Sequence, residues 1–179
     1  MRSATKMTVN EIAKDLEARG VVSANERGQN AGVPGKAGRS AITAVVFEAV
    51  ETAPFEEIVE LYKSADWWQD APDACAIIPE MIRGSFCFLV ARLPEGRIIG
   101  MARVISDGCS DAYIQDVVVL PPYRKQGIGR ELISRLTEYC IARKIGWIGL
   151  VAEPGTREFY EELGYGPLAG YQPMLYGKR

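Results

Sequence analysis

The stretch LPPYRKQGIGRE (120–131) constrains this chain more than any other. The residues before it, DVVVL (116–120), are β-branched and read as a strand. Pro121 and Pro122 remove two backbone donors in succession and stop any ladder there. Downstream, GRELISRLTEYCIARK (129–144) spaces Leu132, Ile133, Leu136, Tyr139 and Cys140 at helical intervals. The chain must therefore pass from strand to helix through YRKQGIG. Gly127 and Gly129 permit positive φ and let backbone N–H groups approach a ligand closely. The first turn of the helix has unpaired N–H groups and the positive end of the helix dipole. Such a junction binds anions, most naturally phosphate or pyrophosphate. Arg124, Lys125 and Arg130 add cations at its rim. The Walker A spacing is missing, and a lone GxG late in the chain is not the dinucleotide fingerprint. A plain turn whose glycines serve only the backbone is the competing reading.

Around this junction the elements follow by pattern. AITAVVFEAV (41–50) reads as a strand, and PFEEIVELYKSADWW (54–68) as a helix with Phe55, Ile58, Leu61 and Tyr62 on one face. SFCFLVARL (85–93) and RIIGMARVIS (97–106) make a hairpin. AYIQDVVVL (112–120) and IGWIGLVA (145–152) read as buried strands. TREFYEELG (156–164) is a short helix capped by Thr156, and YQPMLYGKR (171–179) a last strand. The order β-α-β-β-β-α-β-α-β, with room for a second helix after the first, predicts a mixed sheet covered by helices, an α/β or α+β fold. Residues 1–40 stand apart. VNEIAKDLEARG (9–20) predicts a short amphipathic helix. Residues 24–40 carry glycines and almost no large apolar side chain, the composition of a flexible arm or one that orders against a partner subunit. The predicted domain is 41–179.

Composition narrows the chemistry. The chain has 179 residues and a net charge of −2, unlike a general nucleic-acid binder. It has no histidine, which removes a Ser-His-Asp triad and the commonest general base, and argues against a zinc site. Cys75, Cys87, Cys109 and Cys140 form no CxxC pair and read as reduced thiols of a cytoplasmic protein. No apolar run reaches the length of a membrane span, and the N-terminus lacks a signal-peptide core.

The segment VVVLPPYRKQGIGRELI resembles the acetyl-CoA signature of the GNAT superfamily of N-acetyltransferases: Gln or Arg, two residues, Gly, one residue, then Gly or Ala. Here these are Arg124, Gly127 and Gly129. TREFYEELGYGP (156–167) resembles the family's FYxxxGF segment, with Tyr165 where Phe is commoner. The resemblance implies a mostly antiparallel sheet flanked by helices, with a splayed central strand pair. It implies acetyl-CoA as co-substrate. Its pyrophosphate would rest on N–H groups of Gln126, Gly127, Ile128, Gly129 and Arg130, with Arg124 and Lys125 beside it. Its pantetheine arm would pair with Val117, Val118 and Val119. A backbone N–H near Val117 or Val118 would serve the thioester oxygen. Tyr160 matches the tyrosine that donates a proton toward the CoA sulfur, and Phe159 reads as core.

The proton acceptor is expected to be Asp116, directly or through water, because a lone carboxylate is out of place in a central strand. Glu153, Glu48 and bulk solvent follow it. The acceptor side is expected to be walled by Tyr62, Trp67 and Trp68, with Asp66, Asp70 and Asp73 drawing a cation. A hydrophobic plug with solvated acids is the alternative there. Gly146 and Gly149 either leave room beside the splay or serve packing. The expected activity is acetyl transfer to a primary amine of a small molecule or amino acid. A protein N-terminus or lysine as acceptor, and a non-catalytic acyl-CoA-binding domain, are the alternatives. A homodimer is open; nucleic acid and membrane partners are not expected.

Overall fold

A computed structural model describes residues 45–70 and 74–177. The helix expected at 9–20 and the arm at 24–40 lie outside the described residues. The elements are β1 (Val46–Ala49), α1 (Phe55–Ser64), α2 (Ala74–Gly84), β2 (Cys87–Arg92), β3 (Ile98–Ser106), β4 (Asp111–Val119), a 3-10 turn (Pro121–Tyr123), α3 (Ile128–Ala142), β5 (Trp147–Leu150) and α4 (Arg157–Glu161). The five strands lie in sequence order in one sheet. β1, β2, β3 and β4 pair antiparallel with their neighbours, and β5 joins β4 in parallel.

The core follows from the patterns. Ile98 to Ala102 of β3 are buried without alternation, as a strand covered on both faces must be. α3 packs against β2, β3 and β4, and α1 against β3 and β4. Leu132, Ile133 and Leu136 of α3 are essentially inaccessible. Each contributes about 1.5–3 kcal/mol by leaving water.

Two features of the sheet position the site. The β4–β5 pairing runs only from Asp111↔Trp147 to Ile114↔Leu150. β4 continues to Val119, so beyond Ile114 the two strands part. This is the expected splay. On its other side β4 is bulged. Gln115 faces Arg103 and Val118 faces Met101, so Asp116 and Val117 share the single opposite residue Ala102. Asp116 takes the left-handed conformation that closes such a bulge (φ 53°).

One expected element is absent. Residues 171–177 form no strand, and Met174, Leu175 and Tyr176 are almost fully exposed. Pro173 in the middle of this segment removes a ladder donor, which weakens it as a strand. Thr156 also departs from expectation. Its hydroxyl donates to the Glu153 carbonyl (2.7 Å) rather than capping α4.

Gly149 serves packing. A Cβ there would lie 2.2 Å from the Trp147 ring, which lies tilted against Tyr113 of β4 with ring centroids 4.8 Å apart. Gly146 has open space at the same construction. Gly149→Ala is therefore expected to destabilise the fold by about 1–3 kcal/mol, an overpacking cost. In a Trp147→Ala background that cost should disappear, and thermal unfolding of the four variants checks it.

Candidate active site

The strand–turn–helix junction has the backbone its sequence demands. Lys125 (φ 59°) and Gly127 (φ 87°) both take left-handed conformations, and Gly127 is the N-cap of α3. A Cβ on Gly127 would meet nothing within 4 Å. The space beside Gly127 at the start of α3 is thus open, as a phosphate held by the unpaired N–H groups of the first turn requires. Gly129 is less constrained. A Cβ there would touch the Phe159 ring at 3.6 Å and Val119 at 3.9 Å, ordinary contact that alanine could also make. Phe159 of α4 thus packs onto the start of α3 at this position without requiring glycine. Phe159 is partly buried against the core, as expected.

Two of the three rim cations are engaged. Arg130 pairs with Glu162. The Arg124 guanidinium donates from Nε to the Val119 carbonyl (2.8 Å) and from Nη2 to the Ser64 carbonyl (3.1 Å). Ser64 is the last residue of α1, whose terminal carbonyls lack partners within the helix. Arg124 therefore ties the end of α1 to the end of β4. The Gln126 amide holds the Pro122 carbonyl (3.0 Å).

At the fork, the Leu120 amide donates to Ile99 of β3 (2.9 Å). By alternation the peptide groups of Val119 face the open side, toward where β5 has parted. A cavity of about 320 Å³ lies there, lined by Ser64, Ala65, Asp66, Trp67, Val117, Val118, Val119, Arg124 and Glu153. It is at the small end of ligand sites. Glu153 stands just past β5, and its Oε1 accepts the Trp67 indole N–H (2.9 Å). Tyr160 of α4 is close enough to feel Glu153. Burial pushes its hydroxyl above the ordinary tyrosine range, and the Glu153 carboxylate and Tyr165 push the same way. Tyr160 is thus held protonated at neutral pH.

Asp116 is not among the residues that line this cavity. Its Oδ2 is bonded by the Arg103 guanidinium and by the Tyr62 hydroxyl, the latter at 2.7 Å. Tyr62, expected on the acceptor wall, is instead a core residue whose hydroxyl also meets the Met81 sulfur at 3.0 Å. Burial, and then Asp116, hold that hydroxyl protonated. Trp68 turns back onto α1, edge-on to Phe55 at 6.1 Å, with its N–H on Asp70. Trp67 alone of the three faces the cavity. Arg103 was not singled out by the sequence reading, although a cation inside an otherwise apolar strand was the signal for it. Glu48 is paired with Arg92 at 2.6 Å, away from the fork. Tyr171 and Tyr176 are exposed in the C-terminal segment, and Tyr113 lies against Trp147. Asp73 lies outside the described residues.

Residues 47–165 match the model of the acetyltransferase (GNAT) family. The chain belongs to that family. GNAT proteins use acetyl-CoA as donor. The chain is similar to GCN5-related N-acetyltransferase 2, chloroplastic, of Arabidopsis thaliana: 42% identity over 71 residues, covering 40% of this chain and 28% of that protein. It is similar to histone acetyltransferase TAP1 of Glycine max at 46% over 71 residues, covering 40% and 31%. It is similar to serotonin N-acetyltransferase 2, chloroplastic, of Oryza sativa subsp. japonica at 37% over 70 residues, covering 39% and 35%. The match thus spans about a third of these relatives' length. Among solved structures, a probable acetyltransferase from meticillin-resistant Staphylococcus aureus shares the fold at 21% identity and TM-score 0.63, covering 76% of this chain and all of that one. AAC(6')-Iy, solved with a CoA bisubstrate analogue, does so at 18% identity and TM-score 0.60, covering 76% and 99%. No helix among the described residues is long and apolar enough to cross a membrane.

Proposed function

We propose that this chain transfers an acetyl group from acetyl-CoA to the primary amine of a small cationic molecule or amino acid. The observation that carries the reading is the cavity at the β4–β5 fork. It brings the open peptide edge of β4 and the Glu153 carboxylate together beside the glycine junction, and Tyr160, outside the lining, is near enough to Glu153 to feel its charge.

Acetyl-CoA supplies the acetyl group as a thioester. The junction and the first residues of α3, from Gln126 to Arg130, hold its pyrophosphate by backbone N–H groups. Lys125 lies exposed at the rim of that turn. The peptide groups of Val117 to Val119 align the pantetheine arm along β4, and an N–H there faces the thioester oxygen. An alkylammonium, of pKa roughly 10, must lose a proton before it can attack. We assign that proton to Glu153, which lines the cavity, in place of Asp116, whose carboxylate is already bonded by Arg103 and Tyr62. Asp116 instead holds the bulge that turns Val117 to Val119 into the fork. As the nitrogen–carbon bond forms and the carbon–sulfur bond breaks, Tyr160 gives its proton to the departing sulfur, and the second proton of the attacking nitrogen leaves through solvent and restores the Tyr160 hydroxyl. Asp66 and Trp67 receive the cationic acceptor.

A protein lysine or N-terminus is the second reading, favoured by the name of the Glycine max relative and by the exposure of Trp67. Thiol release on a panel of small amines, amino acids and lysine peptides separates the two. The proposal expects turnover on small amines, with an acidic limb in kcat/KM that is lost in Glu153→Gln. Turnover only on peptides sinks the small-acceptor reading. Acetyl-CoA binding without thiol release on any acceptor would identify a binding domain instead. Cys75, Cys87, Cys109 and Cys140 are all free thiols, which suits a reducing compartment, cytoplasmic or, as in the names of several relatives, chloroplastic.

A further inference from the structure

We infer that Trp67 is a positioning residue for Glu153, holding that carboxylate across the mouth of the fork in the orientation that accepts the acceptor's proton. This rests on the role assigned to Glu153 above.

α1 ends in a defined backbone motif. The Asp66 amide donates to the Lys63 carbonyl (3.1 Å) and the Trp67 amide to the Tyr62 carbonyl (3.0 Å). Asp66, between them, is left-handed (φ 60°). This is a Schellman ending, whose usual companion is an apolar contact from the residue after the left-handed one back to the last turn. Here that contact is Trp67 on Tyr62, with ring centroids 6.3 Å apart. Tyr62 is itself buried and anchored on Asp116 and Met81. The Trp67 ring is thus fixed by a backbone motif and by a core side chain, although it is 36% exposed.

Its indole N–H has one direction left, and it meets Glu153 Oε1. Glu153 is fixed from the other end. The Thr156 amide (3.1 Å) and hydroxyl (2.7 Å) both donate to the Glu153 carbonyl. The bond therefore joins two independently held segments, the end of α1 and the turn after β5, over the opening of the cavity. A carboxylate has about four acceptor positions, so one N–H leaves Oε2 free for an ammonium. The other charged or titratable groups around Glu153 are Asp66 from the end of α1, Arg124 from the junction and Tyr160 from α4. Arg124 is directed at backbone carbonyls, so Trp67 supplies the donor that Glu153 lacks from the cations nearby.

Trp67→Phe keeps an aromatic ring on Tyr62 and removes only the N–H. Any loss in this variant therefore reports on the bond to Glu153 Oε1 and not on packing. The limiting kcat should fall about tenfold, while the acetyl-CoA Kd by calorimetry stays within about twofold. Combining Trp67→Phe with Glu153→Gln should cost no more than Glu153→Gln alone, because one residue acts through the other. An unchanged limiting kcat in Trp67→Phe overturns the inference, as does a full Trp67→Phe loss that persists in the Glu153→Gln background. A native chain with no turnover on any amine overturns the reading of the site itself.

Discussion

Gly127→Asp raises the Kd for acetyl-CoA about a hundredfold, whereas Gly127→Asn raises it about tenfold. The first part of each loss is steric. Any side chain at Gly127 enters the open space at the start of α3, where no protein atom lies within 4 Å of a built Cβ. Losing charge-assisted N–H contacts to a phosphate costs roughly 1.5–3 kcal/mol. The further factor separating Asp from Asn is charge. A carboxylate about 5 Å from a phosphate costs roughly 3 kcal/mol at an effective dielectric of 20, and solvent at an open junction reduces this to nearer the 1.4 kcal/mol that equals tenfold. Asp and Asn both tolerate the left-handed conformation of Gly127 better than other residues, so both variants fold, with similar losses of Tm. Calorimetry with acetyl-CoA at low and high salt is the measurement. The gap between Asp and Asn should narrow as salt rises. Equal Kd values for the two variants would mean that no anion sits over α3.

Tyr160→Phe lowers kcat about a hundredfold and leaves the acetyl-CoA Kd unchanged. General acid catalysis is worth 10²- to 10⁴-fold. The lower end is expected because a thiol, of pKa about 8.5, leaves more readily than an alkoxide and needs less help. Burial and the Glu153 carboxylate hold the Tyr160 hydroxyl protonated, so the acid is present throughout the neutral range and into the alkaline one. Phe keeps the ring that stands edge-on to Phe159 (5.0 Å) and Tyr165 (6.3 Å), so packing is retained. Phe159 is the useful contrast. Its ring packs beneath Gly129, and truncating it should weaken acetyl-CoA binding through the start of α3 rather than slow the chemical step. Thiol release at saturating substrates measures the first effect. A Tyr160→Phe variant at full kcat would remove Tyr160 from the reaction.

The donor side of this site was legible in the sequence because it is local. A β-branched run, two prolines, two glycines and a helical face lie within about thirty residues, and each states its own backbone geometry. The acceptor side was not. Asp116 looked like an unassigned acid in a strand, and only the fold brings Arg103 and Tyr62 onto it, 13 and 54 residues away. Arg124 looked like a phosphate cation, and only the fold turns it onto the end of α1, 60 residues away. The expected strand at 171–179 had the apolar residues of a strand, but a strand also needs a neighbour, and composition does not name one.

By itself, then, the sequence determined the glycine junction and the helical face that anchors it, since periodicity and φ preference depend on near neighbours; the splayed pair of strands and the role of the tyrosine of α4 were implied by the resemblance to the GNAT family. The tertiary structure alone decided which carboxylate stands at the fork. Glu153 and Trp67 are 86 residues apart and meet only because β5 leaves β4 after Leu150 while a Schellman turn ends α1 beside the gap. That meeting depends on where two chain ends are held by packing, which no local pattern encodes.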